Sequence, residues 1–224
     1  MCTRFFIEKN DPEIADIIKA ASRSALAERF LKELSKPLRT SGPVRPSEIA
    51  AAAAPGRNGR TGIFPMKWGF TTSGRKQPVV NARVETAKDK PMFRDPWREH
   101  RCAIPASFYY EWEHFIDGSG KTRTGDRYIF RPRGASITWL CGLYRFENGL
   151  PVFAVITRDS AGACSEIHDR MPLILPKEKI GEWVSPDTDP QSLLPFVLTE
   201  MEIKKDESQD PSRKDTADQQ LSFL

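Results

Sequence analysis

A cysteine follows the initiator methionine, and once Met1 is removed the thiol and α-amine of Cys2 lie on adjacent atoms. The amine, with an unperturbed pKa of roughly 7.7–8.0, is partly unprotonated near neutral pH, and the thiolate beside it is a second nucleophile. This pair would trap an aldehyde first as an imine and then as a five-membered thiazolidine. A cysteine at position 2 also arises with no chemistry attached, so other residues must carry the reading. Glu111 stands between Tyr110 and Trp112 in the stretch Phe108-Tyr109-Tyr110-Glu111-Trp112. Aromatic surroundings disfavour a charged carboxylate and move its pKa toward the range useful for general acid/base work. On the outer face of an amphipathic strand the same glutamate would only be solvated. His168, shortly before the apolar Leu173-Ile174-Leu175, is suited to shuttling a proton at neutral pH or to a hydrogen-bonded structural role. Asn81, Arg83 and Glu85 alternate, which puts them on one face of a strand, by default a solvated one. Trp68-Gly69-Phe70 offers a stacking platform for an unpaired base, or core packing.

The elements that must position these residues are mainly short strands. Thr61–Phe70, Val79–Val84, Cys102–Ala106, Phe108–Trp112, Tyr128–Arg131, Thr138–Tyr144, Val152–Thr157 and Met171–Leu175 are apolar runs punctuated by glycine and proline. Ahead of them Asp11 is placed to cap a helix, Pro12 suits its first turn, and Ile14, Ile17, Ile18 and Ala21 recur at helical spacing. The alanine-rich segment from Ile49 to Ala54 has helix propensity, but Asn58-Gly59 signals a type I′ turn, so a hairpin containing the alanines competes. Lys177–Trp183 suggests a late helix. The pattern predicts an α+β domain, mostly antiparallel, in which a curved sheet closes on itself with a few flanking helices. Residues 1–200 are expected to form one domain. Residues 201–224, polar and charged, are expected to form a flexible tail.

The 224 residues are enough to enclose a sizeable core. No apolar run is long enough for a membrane span and no secretory signal opens the chain, which predicts a cytoplasmic protein without membrane partners. Cys2, Cys102, Cys141 and Cys164 are widely spaced, without a paired-cysteine motif or a nearby histidine couple, so neither a zinc site nor a disulfide framework is expected. The tail holds four Lys/Arg against six Asp/Glu, a net −2, so residues 1–200 carry +6 of the chain's +4 overall. That asymmetry admits a polyanion partner, and solubility accounts for it equally well.

Taken in order, the motifs resemble those of one family. Met1-Cys2-x-Arg4-Phe5, Trp68-Gly69-Phe70, Asn81-Ala82-Arg83-x-Glu85-Thr86, Arg101-Cys102-x-Ile104-Pro105-Ala106, Tyr110-Glu111-Trp112 and Ile167-His168-Asp169-Arg170-Met171-Pro172 are similar to the SRAP family, the SOS-response-associated peptidases understood as abasic-site processing proteins. The resemblance covers roughly residues 1–185. It implies a partly closed β-barrel-like core with flanking helices, and a positive channel for single-stranded DNA. It also implies that Cys2, freed of Met1, cross-links to the ring-opened aldehyde of an abasic site. Within the resemblance Asn81, Glu111 and His168 match active-site positions, and Arg4, Arg83 and Arg170 match positions that contact DNA phosphates. No cofactor or metal is required. A bacterial, nucleoid-associated monomer acting in the DNA damage response follows, with β-elimination as a side reaction and self-removal of Met1.

Two other classes keep part of this pattern. An N-terminal-nucleophile amidohydrolase would use Cys2 but turn over amides, and a non-covalent single-stranded DNA-binding module would survive loss of Cys2. The final Gln220-Leu221-Ser222-Phe223-Leu224 resembles peptides that dock on the replication sliding clamp, although a C-terminal apolar pair can also fold back on its own domain.

Overall fold

The computed structural model describes residues 2–56 and 58–209. The chain opens with strand β1 (Phe5–Ile7), helices α1 (Pro12–Ser22) and α2 (Ala25–Leu34), and strands β2 (Gly42–Val44), β3 (Ile49–Pro55), β4 (Thr61–Trp68) and β5 (Asn81–Arg83). Two short helices follow, α3 (Val84–Ala87) and α4 (Pro91–Glu99), then β6 (Arg101–Ala106), β7 (Phe108–Ile116), β8 (Thr122–Pro132), β9 (Thr138–Glu147) and β10 (Leu150–Asp159). The described residues close with β11 (Arg170–Pro172), α5 (Ile180–Val184) and β12 (Met201–Lys205).

Strands β10, β4, β3, β6 and β9 pair in that order, and β9 pairs back to β10, so the five close into a barrel. Apart from β10 with β4 and with β5, the neighbours run antiparallel. A second sheet, in the order β12-β8-β7-β1-β2, is antiparallel throughout. Phe5, Tyr109 and Phe130 of that sheet share one hydrophobic core with the barrel residues. Closure removes sheet edges that would otherwise remain unpaired.

The alanine run is a strand. Ile49 through Ala54 are all buried inside the barrel wall, between β4 and β6. Burial on both faces overrides alanine's helical preference, and small side chains let neighbouring walls approach. Gly142 marks the same constraint on β9: a Cβ there would lie 2.8 Å from Ile104 Cδ1 and 3.1 Å from the Ala154 carbonyl oxygen. The β3–β4 hairpin does form: Pro55 pairs with Thr61, the Gly59 N–H is donated to the Gly56 carbonyl at 3.0 Å, and the Asn58 side-chain oxygen accepts the Arg60 N–H at 3.1 Å. A two-residue turn with both φ values positive is formed by Asn148-Gly149, at 51° and 74°, joining β9 to β10.

Helix α1 matches its sequence signals. Asp11 accepts the N–H groups of Glu13 and Ile14 at 3.0 and 3.1 Å, and Ile14, Ile18 and Ala21 face the core. Two expectations need correction. Asn81, Arg83 and Glu85 do not share a strand face, because β5 stops at Arg83 and Glu85 lies in α3. The tail does not begin at residue 201: β12 pairs with β8 from Met201↔Pro132 to Lys205↔Tyr128. In β12, alternate positions Met201 and Ile203 pack on the core while charged side chains face outward, a half-buried edge strand that reads as polar overall. The sequence 220–224 lies outside the described residues.

Candidate active site

The chemistry-bearing residues meet where the second sheet faces the β10 side of the barrel. Cys2 precedes β1, Asn81 opens β5, Glu111 lies on β7, and His168 stands two residues ahead of β11. Cys2 is fully buried, and its carbonyl accepts the Asn81 Nδ2–H at 2.8 Å. Its thiol lies 4.0 Å from the Arg4 carbonyl oxygen. Burial pushes that thiol well above its ordinary pKa, and the Glu111 charge raises it further.

Glu111 is 2% exposed, and burial pushes its carboxyl up to about 8, with Asp169 adding in the same direction. A carboxyl so placed is an acid at neutral pH and a base slightly above it. His168 Nε2 stands 3.9 Å from Glu111 Oε2. Burial lowers the His168 pKa to about 4, so the ring is neutral at pH 7. Its Nδ1 accepts the Arg170 backbone N–H at 3.0 Å, while Asp169 Oδ1 approaches the same nitrogen at 2.7 Å. One neutral nitrogen cannot accept from the amide and also donate to the carboxylate. The amide is fixed by the pairing of β11 with β10, whereas the Asp169 side chain is exposed and free to turn to water. We therefore place the ring proton on Nε2, facing Glu111.

The aromatic stretch does what its sequence suggests for Glu111 but divides at a bulge. Between Trp112 and His114 the β7–β8 register shifts, and the strand passes from buried to exposed. Trp112 is left half-buried at the rim with Arg4 over its ring at 5.1 Å and Arg127 at 5.9 Å. Arg127 also covers Tyr110 at 4.6 Å and is ion-paired to Asp206. Burial lowers the Arg4 pKa, and the neighbouring Arg45 and Arg127 charges add to that effect, so three guanidinium groups crowd one wall.

The structure separates the expected DNA-facing residues. Arg83 is exposed, two residues past Asn81 on β5. Arg170 is 6% exposed and paired to Glu85 at 2.9 Å and to Asp159, so its charge is already neutralised. Trp68 cannot be a stacking platform, because it is fully buried between Phe5 at 5.2 Å and Phe153 at 5.9 Å, with its Nε1–H donated to the Val80 carbonyl. Trp112 offers the rim aromatic surface that Trp68 lacks. Sequence reasoning missed Tyr109, Arg127 and His114, whose ring lies 4.5 Å from that of His168. Tyr109 was legible through strand alternation with Glu111; Arg127 is set opposite Trp112 by the β7–β8 pairing, and His114 reaches His168 beyond the bulge. Among the described residues no group of three or more His, Cys, Asp or Glu side chains could hold a metal ion, and no helix is long and apolar enough to cross a membrane.

A closed five-stranded barrel, with Cys2 held by Asn81 in a site that also contains a buried acid and a neutral histidine, defines the class of this α+β protein. The chain matches the SOS response associated peptidase (SRAP) model over residues 1–209 and belongs to that family. It is 35% identical over 175 residues to abasic site processing protein YoqW of Bacillus subtilis, spanning 71% of this chain and 75% of the relative. To abasic site processing protein YedK of Escherichia coli it is 29% identical over 180 residues, 73% of this chain and 77% of that one. Among solved structures, a Bacteroides thetaiotaomicron protein superposes with a TM-score of 0.68 at 19% identity over 91% of each chain. A phage-related protein of Bordetella bronchiseptica gives 0.64 at 21% identity, covering 92% of this chain and 94% of that one. These two likenesses concern the fold alone.

Proposed function

We propose that this protein captures abasic sites in single-stranded DNA by forming a thiazolidine between Cys2, freed of Met1, and the sugar aldehyde, and so shields the lesion. The observation that carries the reading is the placement of Cys2: its carbonyl is pinned by Asn81, and the buried Glu111, with its pKa pushed up to about 8, is near enough for its charge to act on the thiol. The names of YoqW and YedK as abasic site processing proteins supply the substrate class.

The amine attacks the C1′ aldehyde. Glu111 in its protonated form donates to the carbonyl oxygen that leaves as water, and His168 Nε2–H supports the carboxyl and the opening sugar. Asn81 orients residue 2 so that the amine approaches along one direction. The thiol then adds to the imine carbon, which removes the imine that would acidify C2′ and drive β-elimination of the 3′ phosphate. Strand cleavage is thus a side reaction that ring closure suppresses, and self-removal of Met1 belongs to the same site.

Arg4 and Arg83 contact phosphates, and Arg170 does so by exchanging Asp159, the more exposed of its two carboxylate partners. Recognition rests on backbone charge and on stacking at Trp112, with weak sequence preference. The setting is the cytoplasm, at the nucleoid, in the DNA damage response. The test is a denaturing gel after incubation with a single-stranded oligonucleotide bearing one abasic site. Wild type should give a covalent band, and Cys2→Ala or a form retaining Met1 should give none. A band of wild-type intensity in Cys2→Ala would overturn the assignment.

A further inference from the structure

Asn81 and His168 are carried by elements on opposite sides of β10. Thr157 of β10 pairs with Arg83 of β5 on one side and with Pro172 of β11 on the other, so β10 separates the strand that bears Asn81 from the strand that follows His168. Each flanking strand is three residues long, and ladders so short open readily at their ends. Arg170 is the end residue of β11, yet its backbone N–H stays 3.0 Å from His168 Nδ1, the contact that keeps the ring proton on Nε2. One side chain joins all three elements. From α3, Glu85 Oε1 accepts Arg170 Nη1–H at 3.0 Å and the Asp159 backbone N–H at 3.3 Å, while its Oε2 accepts Nη2–H at 2.9 Å. The same Nη2 lies 3.4 Å from Thr157 Oγ1. Asp159, on β10 itself, would balance the Arg170 charge unaided. Charge balance therefore does not account for a second carboxylate, from the helix behind Asn81, that takes both guanidinium nitrogens.

We propose that Glu85 is a positioning residue: through Arg170 it fixes the amide that sets the His168 tautomer, and it ties that ring to the strand bearing Asn81. The inference rests on the capture chemistry proposed above. Glu85 touches no reacting atom. Its two parallel bonds to Arg170 carry direction as well as charge, so they hold the guanidinium and with it the first residue of β11. Once the pair is lost, the Arg170 amide no longer stays in place at Nδ1. The ring proton then distributes over both nitrogens, and the Nε2–H that faces Glu111 is present only part of the time. The sign of the Glu85 charge separates this role from DNA contact. An acid between Arg83 and Arg170 opposes phosphate binding, so its removal slows the chemistry without weakening the complex.

Glu85→Gln, in protein lacking Met1, tests this, because the amide has the same shape and keeps one bond to the guanidinium. The imidazole nitrogens of the three histidines are isotope-labelled, and the His168 signals are assigned by their loss in His168→Gln. Wild type at pH 7 should show a single Nε2–H tautomer at His168, and Glu85→Gln a mixture of both. Adduct formation at saturating abasic oligonucleotide should slow about tenfold, the worth of one hydrogen bond, with equilibrium DNA binding unchanged or tighter. In a His168→Gln background, Glu85→Gln should slow the reaction no further, because the residue it acts through is gone. Where Glu85→Gln does not fold, Glu85→Asp, a methylene too short to reach both nitrogens, replaces it with the same expectations. An unchanged tautomer overturns the proposal. So does equal slowing in both backgrounds, as a merely structural role would give, or a loss of DNA affinity as large as the loss of rate. A wild type that forms no adduct overturns the capture reading instead, and the nitrogen spectra then decide the role of Glu85 by themselves.

Discussion

Arg101 and the Cys2 site are equally hidden from water, yet their polar groups are in opposite conditions. The Arg101 guanidinium donates to the carbonyl oxygens of Trp183 and Trp97 at 2.7 Å, Arg98 at 2.6 Å, Thr188 at 2.8 Å, and Ser185. It ties the last turn of α4 to α5 and the segment after it, and takes up carbonyls that a helix end leaves open. At the seam, Asn81 Oδ1 has no hydrogen-bond partner, Glu111 is pushed up to about 8 and His168 down to about 4. Burial alone therefore does not mark function. A buried polar group whose bonds are complete holds the fold together; one whose bonds are incomplete, or whose protonation is displaced, is poised for a substrate.

That contrast breaks first at Arg101. Arg101→Leu strands five carbonyls and should destabilise the protein by about 3–5 kcal/mol, read as a lower urea midpoint, while the folded fraction still forms adduct at the wild-type rate. Glu111→Gln should do the reverse. Adduct formation at saturating DNA should slow by about 10²–10⁴, with equilibrium DNA binding unchanged. Because folding raises the Glu111 pKa from its ordinary 4.5 to about 8, the native state loses stability as pH rises through that window. Glu111→Gln should accordingly raise the melting temperature at pH 8 and leave it unmoved at pH 4.

His168 carries the opposite sign. Its pKa falls from the ordinary 6.5 to about 4 on folding, so stability is lost as pH drops through that interval, and His168→Gln should flatten the acid side of the stability curve. The smallest effects belong to the rim. Trp112→Ala should weaken single-stranded DNA binding by about 1–3 kcal/mol. Arg83→Gln should reduce the slope of log affinity against log salt by about one, whereas Arg170→Gln should lower thermal stability more than that slope, because its charge already serves Glu85 and Asp159.

The barrel strands were legible because most are apolar runs bounded by glycine and proline, and α1 because Asp11, Pro12 and the isoleucines agree. The alanine strand was legible only as one of two alternatives, since alanine's propensity is local and its burial between β4 and β6 is a tertiary fact. Strand β12 was hidden for a related reason: it buries only alternate positions, so averaged polarity made it look like tail. At the site, Cys2, Asn81, Glu111 and His168 could be named from residue type and order. Trp68 and Arg170 could not be judged so, because an aromatic in a strand and an arginine in a motif read alike whether they face solvent or partners. Arg101, part of a motif that marks the family, belongs wholly to the fold.

The most direct measurement is the position and form of the covalent linkage. Protein lacking Met1 is reacted with abasic single-stranded DNA, treated or not with borohydride, digested, and its N-terminal peptide weighed. A sugar mass on Cys2 that borohydride leaves unchanged is predicted, because a thiazolidine, unlike an imine, has no double bond to reduce. A sugar mass on a lysine, or one on Cys2 that gains two hydrogens on treatment, would contradict capture by the paired amine and thiol.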